Sequence, residues 1–359
     1  MRLILQVVFV LLILSLGPSS TSGAEWTIEV FWRNDRLEGT PLGWSSKTID
    51  LLGRDGSWWT FPLDEAEDYR KLSYGFRPLT QGEQRALLMG EFGAGYEVSG
   101  TGNYLVVHPA GRRDRWAHRF EELHRTFVQY FSVRGFVLES PRFPLVAIAF
   151  PTRQEFSNYA VRQGVNLPSG VLGYYSRQTN RVLLYDLTAD DRGFSASDNV
   201  ATIIHEATHQ MAFNTRVHNR FAASPIWTIE GLATMFEAPG VHDARHNATK
   251  ESRVNRDRLT AFREYAAERQ TGKILAEMIA TDRIFQTHPD IAYAHAWALT
   301  FFLSEQYPQK FASYLAKTAE RPALAGLTAA ERIKDFHREF EVDFAMLESR
   351  LLRFVDSLR

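Results

Sequence analysis

The sequence predicts an α+β fold: a small β-rich N-terminal part, then a unit that opens on a short sheet and runs into a mainly helical C-terminal half. Three observations carry this. Residues 25–103 alternate short apolar runs with turn signals. Residues 104–185 hold two continuous apolar runs and a hairpin pattern. Beyond Ser197 nearly every segment to Arg359 has helical periodicity. Strands first and helices after is an α+β order, unlike the strict alternation of βαβ units.

The chain has 359 residues, enough for a small domain beside a larger one. Acidic and basic residues nearly cancel, 42 against 41, so no field of one sign points to nucleic acid or an anionic membrane surface. There is no cysteine, which excludes disulfides, thiolate metal sites and a lipid-modified cysteine anchor.

Met1-Arg2 precedes an apolar run from Leu3 to Leu16, then Gly17, Pro18 and a small-residue stretch ending at Ser22-Gly23-Ala24. A charged start, a short apolar middle and small residues before a cut describe a secretory signal peptide over residues 1–24. The run is short of the ~20 residues that span a bilayer, so export without stable membrane insertion is expected, an uncleaved anchor being the alternative. The mature protein is thus expected in the periplasm, at the envelope or outside the cell.

Residues 25–103 are expected to form a small β-rich domain, an SH3-like barrel being one architecture of that pattern. Trp26-Thr27-Ile28-Glu29-Val30-Phe31 alternates in part, residues 47–52 are a second strand, and Arg54-Asp55-Gly56 is a turn before Trp58-Trp59-Thr60-Phe61. The two tryptophans are read as packing. Residues 81–92 are helix-prone. From Tyr104 a second domain is expected to reach residue 359. Residues 104–108 and 145–150 are buried strands, residues 115–131 an amphipathic helix, and Thr179-Asn180 the turn of a hairpin. Gly100-Thr101-Gly102 is a turn between strands and lacks the following helix of a dinucleotide site.

Chemistry concentrates in the helix Asn199-Val200-Ala201-Thr202-Ile203-Ile204-His205-Glu206-Ala207-Thr208-His209, with Ser197 or Asp198 at its start. Residues i and i+4 share a helix face, so His205 and His209 can offer two imidazoles to one ion. Glu206 lies about 100° around the helix, placed for a general base toward a metal-activated water. The helix is apolar nearly all round, so these polar groups are expected to be buried and to need partners. A metal satisfies all of them together; a hydrogen-bond network is the rival.

A third ligand should lie downstream. A histidine six residues after His209 would mark a metzincin, but that residue is Thr215. His218 stands in a polar segment. Glu230 is favoured: it is a lone acid in Ile226-Trp227-Thr228-Ile229-Glu230-Gly231-Leu232-Ala233, a helix expected to start at Ser224-Pro225, with Ser224 as cap and Pro225 at the first helical position. Gly231 leaves room for close approach, expected to be against the histidine helix.

Together, His205-Glu206-Ala207-Thr208-His209 and Trp227-Thr228-Ile229-Glu230-Gly231-Leu232-Ala233 resemble the two zinc helices of the gluzincins, which include thermolysin and aminopeptidase N. Residues 104–314 are most similar to an uncharacterised group of exported bacterial peptidase MA-like proteins. The resemblance implies Zn²⁺ on His205, His209 and Glu230, Glu206 as base, and hydrolysis of a peptide or protein substrate. No G-x-M-E-N segment is present, so amino-terminal specificity is not implied. Thr234 stands where thermolysin has an aspartate supporting a ligand histidine, leaving Thr234 or Glu237 for that task. Gluzincins stabilise the transition state with a tyrosine or histidine from a later helix; here Tyr293 is the first choice and His295 the second. The edge strand that gluzincins pair with substrate corresponds to residues 170–175. The remaining histidines (His108, His118, His124, His242, His246, His288) have no ligand spacing, and residues 250–270 form a charge-laced, solvated helix. The alternative to a zinc peptidase is a zinc-binding envelope protein without catalysis, acting as a binding module.

Overall fold

The computed structural model describes residues 26–111, 116–168, 170–185, 196–243, 249–267 and 271–358, with side chains from residue 200 in the segment that opens at 196. The signal peptide expected at residues 1–24, and His246, lie outside them.

Five antiparallel strands come first: β1 (Trp26–Trp32), β2 (Asp35–Trp44), β3 (Thr48–Gly53), β4 (Trp58–Pro62) and β5 (Ala66–Tyr74), in the order β4-β3-β2-β1-β5. Alternation puts Ile28, Val30, Ile49, Leu51 and Phe61 into one small core. Arg33 and Asn34, with φ of 50° and 71°, make the two-residue turn that pairs Trp32 with Asp35. The Asp55-Gly56 turn is also formed, with Gly56 at φ 89°.

The second sheet follows α1 (Gln81–Phe92), whose start is closed by a reciprocal Thr80–Glu83 capping box. It comprises β6 (Tyr96–Gly100), β7 (Tyr104–Pro109), β8 (Leu145–Phe150), β9 (Gly173–Ser176) and β10 (Arg181–Tyr185), ordered β6-β7-β8-β10-β9. The three inner strands are parallel and the edges antiparallel. The division drawn at residue 103 therefore runs through a hairpin, since Val98 of β6 faces Val107 of β7. Helices cover both faces. Leu88 of α1 and Phe156 of α3 (Arg153–Arg162) pack on one, and α2 (Ala117–Ser132) on the other.

The rest is helical, as expected: α4 (Ala196–Asn214), α5 (Ile226–Phe236), α6 (Pro239–His242), α7 (Arg256–Ala266), α8 (Thr271–Ala280), α9 (Arg283–Thr287), α10 (Pro289–Gln306), α11 (Pro308–Ala319), α12 (Ala329–Phe340) and α13 (Phe344–Asp356). The α+β class holds. Among the described residues no helix is long and apolar enough to cross a membrane.

Two details position the site. Gln210 Nε2 of α4 donates to the carbonyls of Val146 (3.0 Å) and Asn180 (2.8 Å), fixing this helix to the sheet. Gly231 of α5 faces α10, not α4 as the sequence suggested: a Cβ there would lie 2.5 Å from Ala296 O and closer still to Thr300 Oγ1. The close approach joins α5 to the helix bearing Tyr293. The start of α5 also differs from expectation. Pro225 precedes the first helical residue, and Ile226 N–H is held by Asp282 Oδ1 at 3.0 Å, an external cap that no local pattern announces.

Candidate metal centre

The apolar surround of α4 and α5 buries the whole constellation: His205, Glu206, His209 and Glu230 are each at most 2% exposed. His205 Nε2 lies 3.3 Å from Glu230 Oε2, and His209 Nε2 lies 3.6 Å from the same oxygen. The two imidazoles stand edge to face, centroids 4.7 Å apart. Among the described residues this is the group of three whose ligand atoms all lie within 4.8 Å of one another. His205 Nε2 and both Glu230 oxygens are buried without a hydrogen bond. Buried polar atoms without well-formed hydrogen bonds are costly, and a cation between these three residues removes that cost for all of them at once. Two nitrogens and one carboxylate oxygen are donors suited to zinc and its neighbours in the first transition row.

The electrostatics follow from the same packing. Burial would raise the Glu230 carboxyl, but the His209 and His205 imidazoles outweigh it and hold it well below the usual carboxylate range. Burial would lower His205, but Glu230 and Glu237 outweigh it and hold it up near 10. Glu206 goes the other way: burial raises it and the imidazoles only partly compensate. Tyr175 N–H donates to Glu206 Oε2 at 2.7 Å, while Oε1 has no hydrogen bond. Two carboxylates on neighbouring helices are thus driven in opposite directions.

Geometry decides between Thr234 and Glu237 as the support of His205. Thr234 Oγ1 bonds back to Glu230 O at 2.7 Å and so serves its own helix. Glu237 Oε1 is 2.8 Å from His205 Nδ1, which directs Nε2 toward Glu230. Glu237 Oε2 in turn accepts from Asn255 Nδ2 at 2.8 Å. The same Asn255 donates to Thr234 O and caps α7 by accepting from Arg258 N–H. Sequence reasoning missed Asn255, treating residues 250–270 as a solvated face. Its capping pattern is readable, but nothing local ties it to a carboxylate 18 residues earlier.

Tyr293 and His295 part company. On α10 they stand about 200° apart, so only one can face the triad. Tyr293 shares its stripe with Ala296 and Thr300, which meet Gly231. Burial and then Glu230 push its hydroxyl well above the ordinary tyrosine value. His295 is not brought to the triad. Its ring lies against Phe262 at 4.9 Å, with Nδ1 2.8 Å from Ile291 O. Burial pushes it down to about 4.

His218 is not part of the metal triad but is buried beside it. Burial, then the nearby His209 and Arg177, push it down to about 3. The expected hairpin is formed by β9 and β10, with Asn180 at φ 59°, and β9 is the edge strand of its sheet.

A family described as "Protein of unknown function (DUF1570)" matches residues 199–325, which run from the start of the histidine helix past Tyr293. No curated protein matches the chain.

Proposed function

We propose that this protein is a zinc-dependent hydrolase of the gluzincin type that cleaves peptide bonds. The observation that carries the reading is the shared buried focus of His205, His209 and Glu230, with Glu206 on the next helical position and Tyr293 against Glu230. A bound zinc ion would supply Lewis acidity, polarising a carbonyl and lowering the pKa of water toward about 7.

The remaining work falls to the chain. His205, His209 and Glu230 hold the ion, and Glu237 fixes the His205 tautomer through Nδ1. Glu206 takes the proton of the attacking water and returns it to the leaving amine; its raised pKa, caused first by burial, suits a group that must both accept and give. The Tyr175 N–H bond orients its carboxylate while leaving Oε1 for the proton. In the metal-free fold burial and then Glu230 oppose ionisation of Tyr293, which favours an O–H that can donate to an oxygen that gains charge. β9 offers an extended edge beside Glu206, which supports substrate binding through main-chain bonds.

The test is purification of the exported chain, metal analysis, and cleavage of a mixed peptide library read by mass spectrometry. The expected result is about one zinc per chain and cleavage abolished by a chelator. Zinc at that ratio with no cleavage would favour a non-catalytic binding module instead.

A further inference from the structure

One turn beyond His209, α4 presents Phe213, and three side chains surround it. The Tyr175 ring stacks on it at 5.8 Å, the Arg177 guanidinium carbon lies 4.8 Å from its centroid, and the His218 ring is 5.5 Å away. Tyr175 and Arg177 are two residues apart at the end of β9, and Tyr175 is the residue whose N–H holds Glu206. This shell is therefore continuous with the metal centre.

Its charge balance is inverted. Arg177 donates through Nη2 to the carbonyls of Asn219 (3.4 Å), Arg220 and Ala222 (3.1 Å), and forms no ion pair among the described residues. Its Nε is buried without an acceptor. His218 is 2% exposed, and its Nε2 is equally without a hydrogen bond. A half-buried arginine whose Nε is buried without an acceptor, beside a buried imidazole whose Nε2 has no hydrogen bond, is a pattern a carboxylate completes. The His218 ring is neutral, so its Nε2–H tautomer can donate to such a group.

We propose that Arg177 and His218 form an anion subsite, one helical turn from the metal centre, that recognises a carboxylate of the substrate. The inference rests on the hydrolase reading for its placement along a substrate. One turn is about 5.4 Å of helix, the length of one to two residues of extended chain at about 3.3 Å each. The carboxylate thus belongs to a residue next to, or one removed from, the bond cut. It is either the C-terminal carboxylate or an acidic side chain.

The zinc-loaded Glu206→Gln protein, which should bind without turnover, is titrated with three probes. These are N-acetyl-trialanine as free acid, the same peptide as amide, and a peptide amide with one internal glutamate. A charge-assisted bond predicts at least a roughly tenfold tighter Kd for a carboxylate probe than for the plain amide. Preference for the free acid identifies a C-terminal carboxylate, and preference for the internal glutamate an acidic side chain. Arg177→Gln and His218→Gln on the same background should each erase most of the difference while zinc stays bound. Arg177 also ties residues 219–222 together, so His218→Gln, whose Nε2 bonds nothing, decides the matter if the arginine variant does not fold. Equal binding of the three probes, absence of binding at millimolar concentration, or a preference that survives His218→Gln overturns the subsite. A carboxylate preference in a parent protein that cleaves no peptide leaves the subsite standing and removes peptide hydrolysis. Cleavage without preference does the reverse.

Discussion

Two buried clusters share the face of α4 and are built on opposite charge. Around His205 and His209, three carboxylates (Glu206, Glu230 and Glu237) crowd two imidazoles, and the surplus is negative. Arg177 at Phe213 and Arg220 beyond it meet no carboxylate in an ion pair among the described residues; their bonded donors go to backbone carbonyls. A folded interior tolerates a surplus of one sign only where something compensates it. The first cluster suits a cation, the second an anion, and one helical turn separates them. The interior beside α4 is therefore polarised along that helix, and each end can be tested for the ion it suits.

The largest effect is expected at the negative end. Glu230→Gln removes the charge both imidazoles face, so zinc content should fall from about one per chain to near zero, measured on dialysed protein by elemental analysis. Glu206→Gln is next: zinc should stay bound while kcat falls by roughly 10²–10⁴, the usual weight of a general base. Retained activity in Glu206→Gln would remove the base from the mechanism without disturbing the site. Glu237→Gln and Asn255→Ala reach the metal only through His205 Nδ1. They should weaken zinc binding about 10–100-fold in competition with a chromogenic chelator. An Asn255→Ala protein that loses stability equally with and without zinc would reduce that residue to a helix cap.

Proton linkage sharpens the same contrast. Burial alone would lower His205, but Glu230 and Glu237 hold it up near 10 in the metal-free fold. A raised folded-state pKa contributes stability that is fully present below the unfolded value and is lost as pH rises through about 10. Zinc must displace that proton. Its affinity should therefore rise with pH, about tenfold per unit per proton released, across neutral and mildly alkaline solution. Calorimetric titration in buffers of different ionisation enthalpy measures the proton count directly; zero protons released would mean His205 is neutral in the metal-free protein.

How much of this was readable in the sequence depends on the range of each interaction. The α+β class and the two segments of the candidate metal site were, because periodicity and an i, i+4 histidine pair are local. Glu230 was readable as a lone acid in an apolar helix. The correct partner of Gly231 was not, since a glycine marks a close approach without saying to what. The choice between Tyr293 and His295 turned on the rotation of α10, set by its packing on α5 rather than by either residue. The division at residue 103 overlooked that β6 pairs across its hairpin with β7, leaving the first sheet behind. Arg177 and Arg220 gave no local sign at all: a surface and a buried arginine look alike until the loops that supply carbonyls are in place.

The smallest effect on the metal separates the two arginines of the positive end. Arg220 is 3% exposed and joins three segments, donating to Arg177 O at 2.8 Å, to Gly56 O in the turn between β3 and β4, and to Gln178 O at 3.4 Å. Beside it Trp58 N–H donates to Gln178 O at 2.7 Å, and Trp58 meets Phe221 edge to face. This is the seam between the two sheets, and Arg220 commits Nε and Nη2 there, whereas the Nε of Arg177 is buried without an acceptor. Arg220→Met should therefore leave carbonyls unpaired and destabilise the fold by about 2–4 kcal/mol, yet change zinc affinity and carboxylate preference less than about twofold. Thermal unfolding followed at Trp58, together with the chelator competition, reads both. A stability loss with the carboxylate preference intact would confine recognition to Arg177 and His218; a preference lost together with Arg220 would make the seam itself part of the anion site.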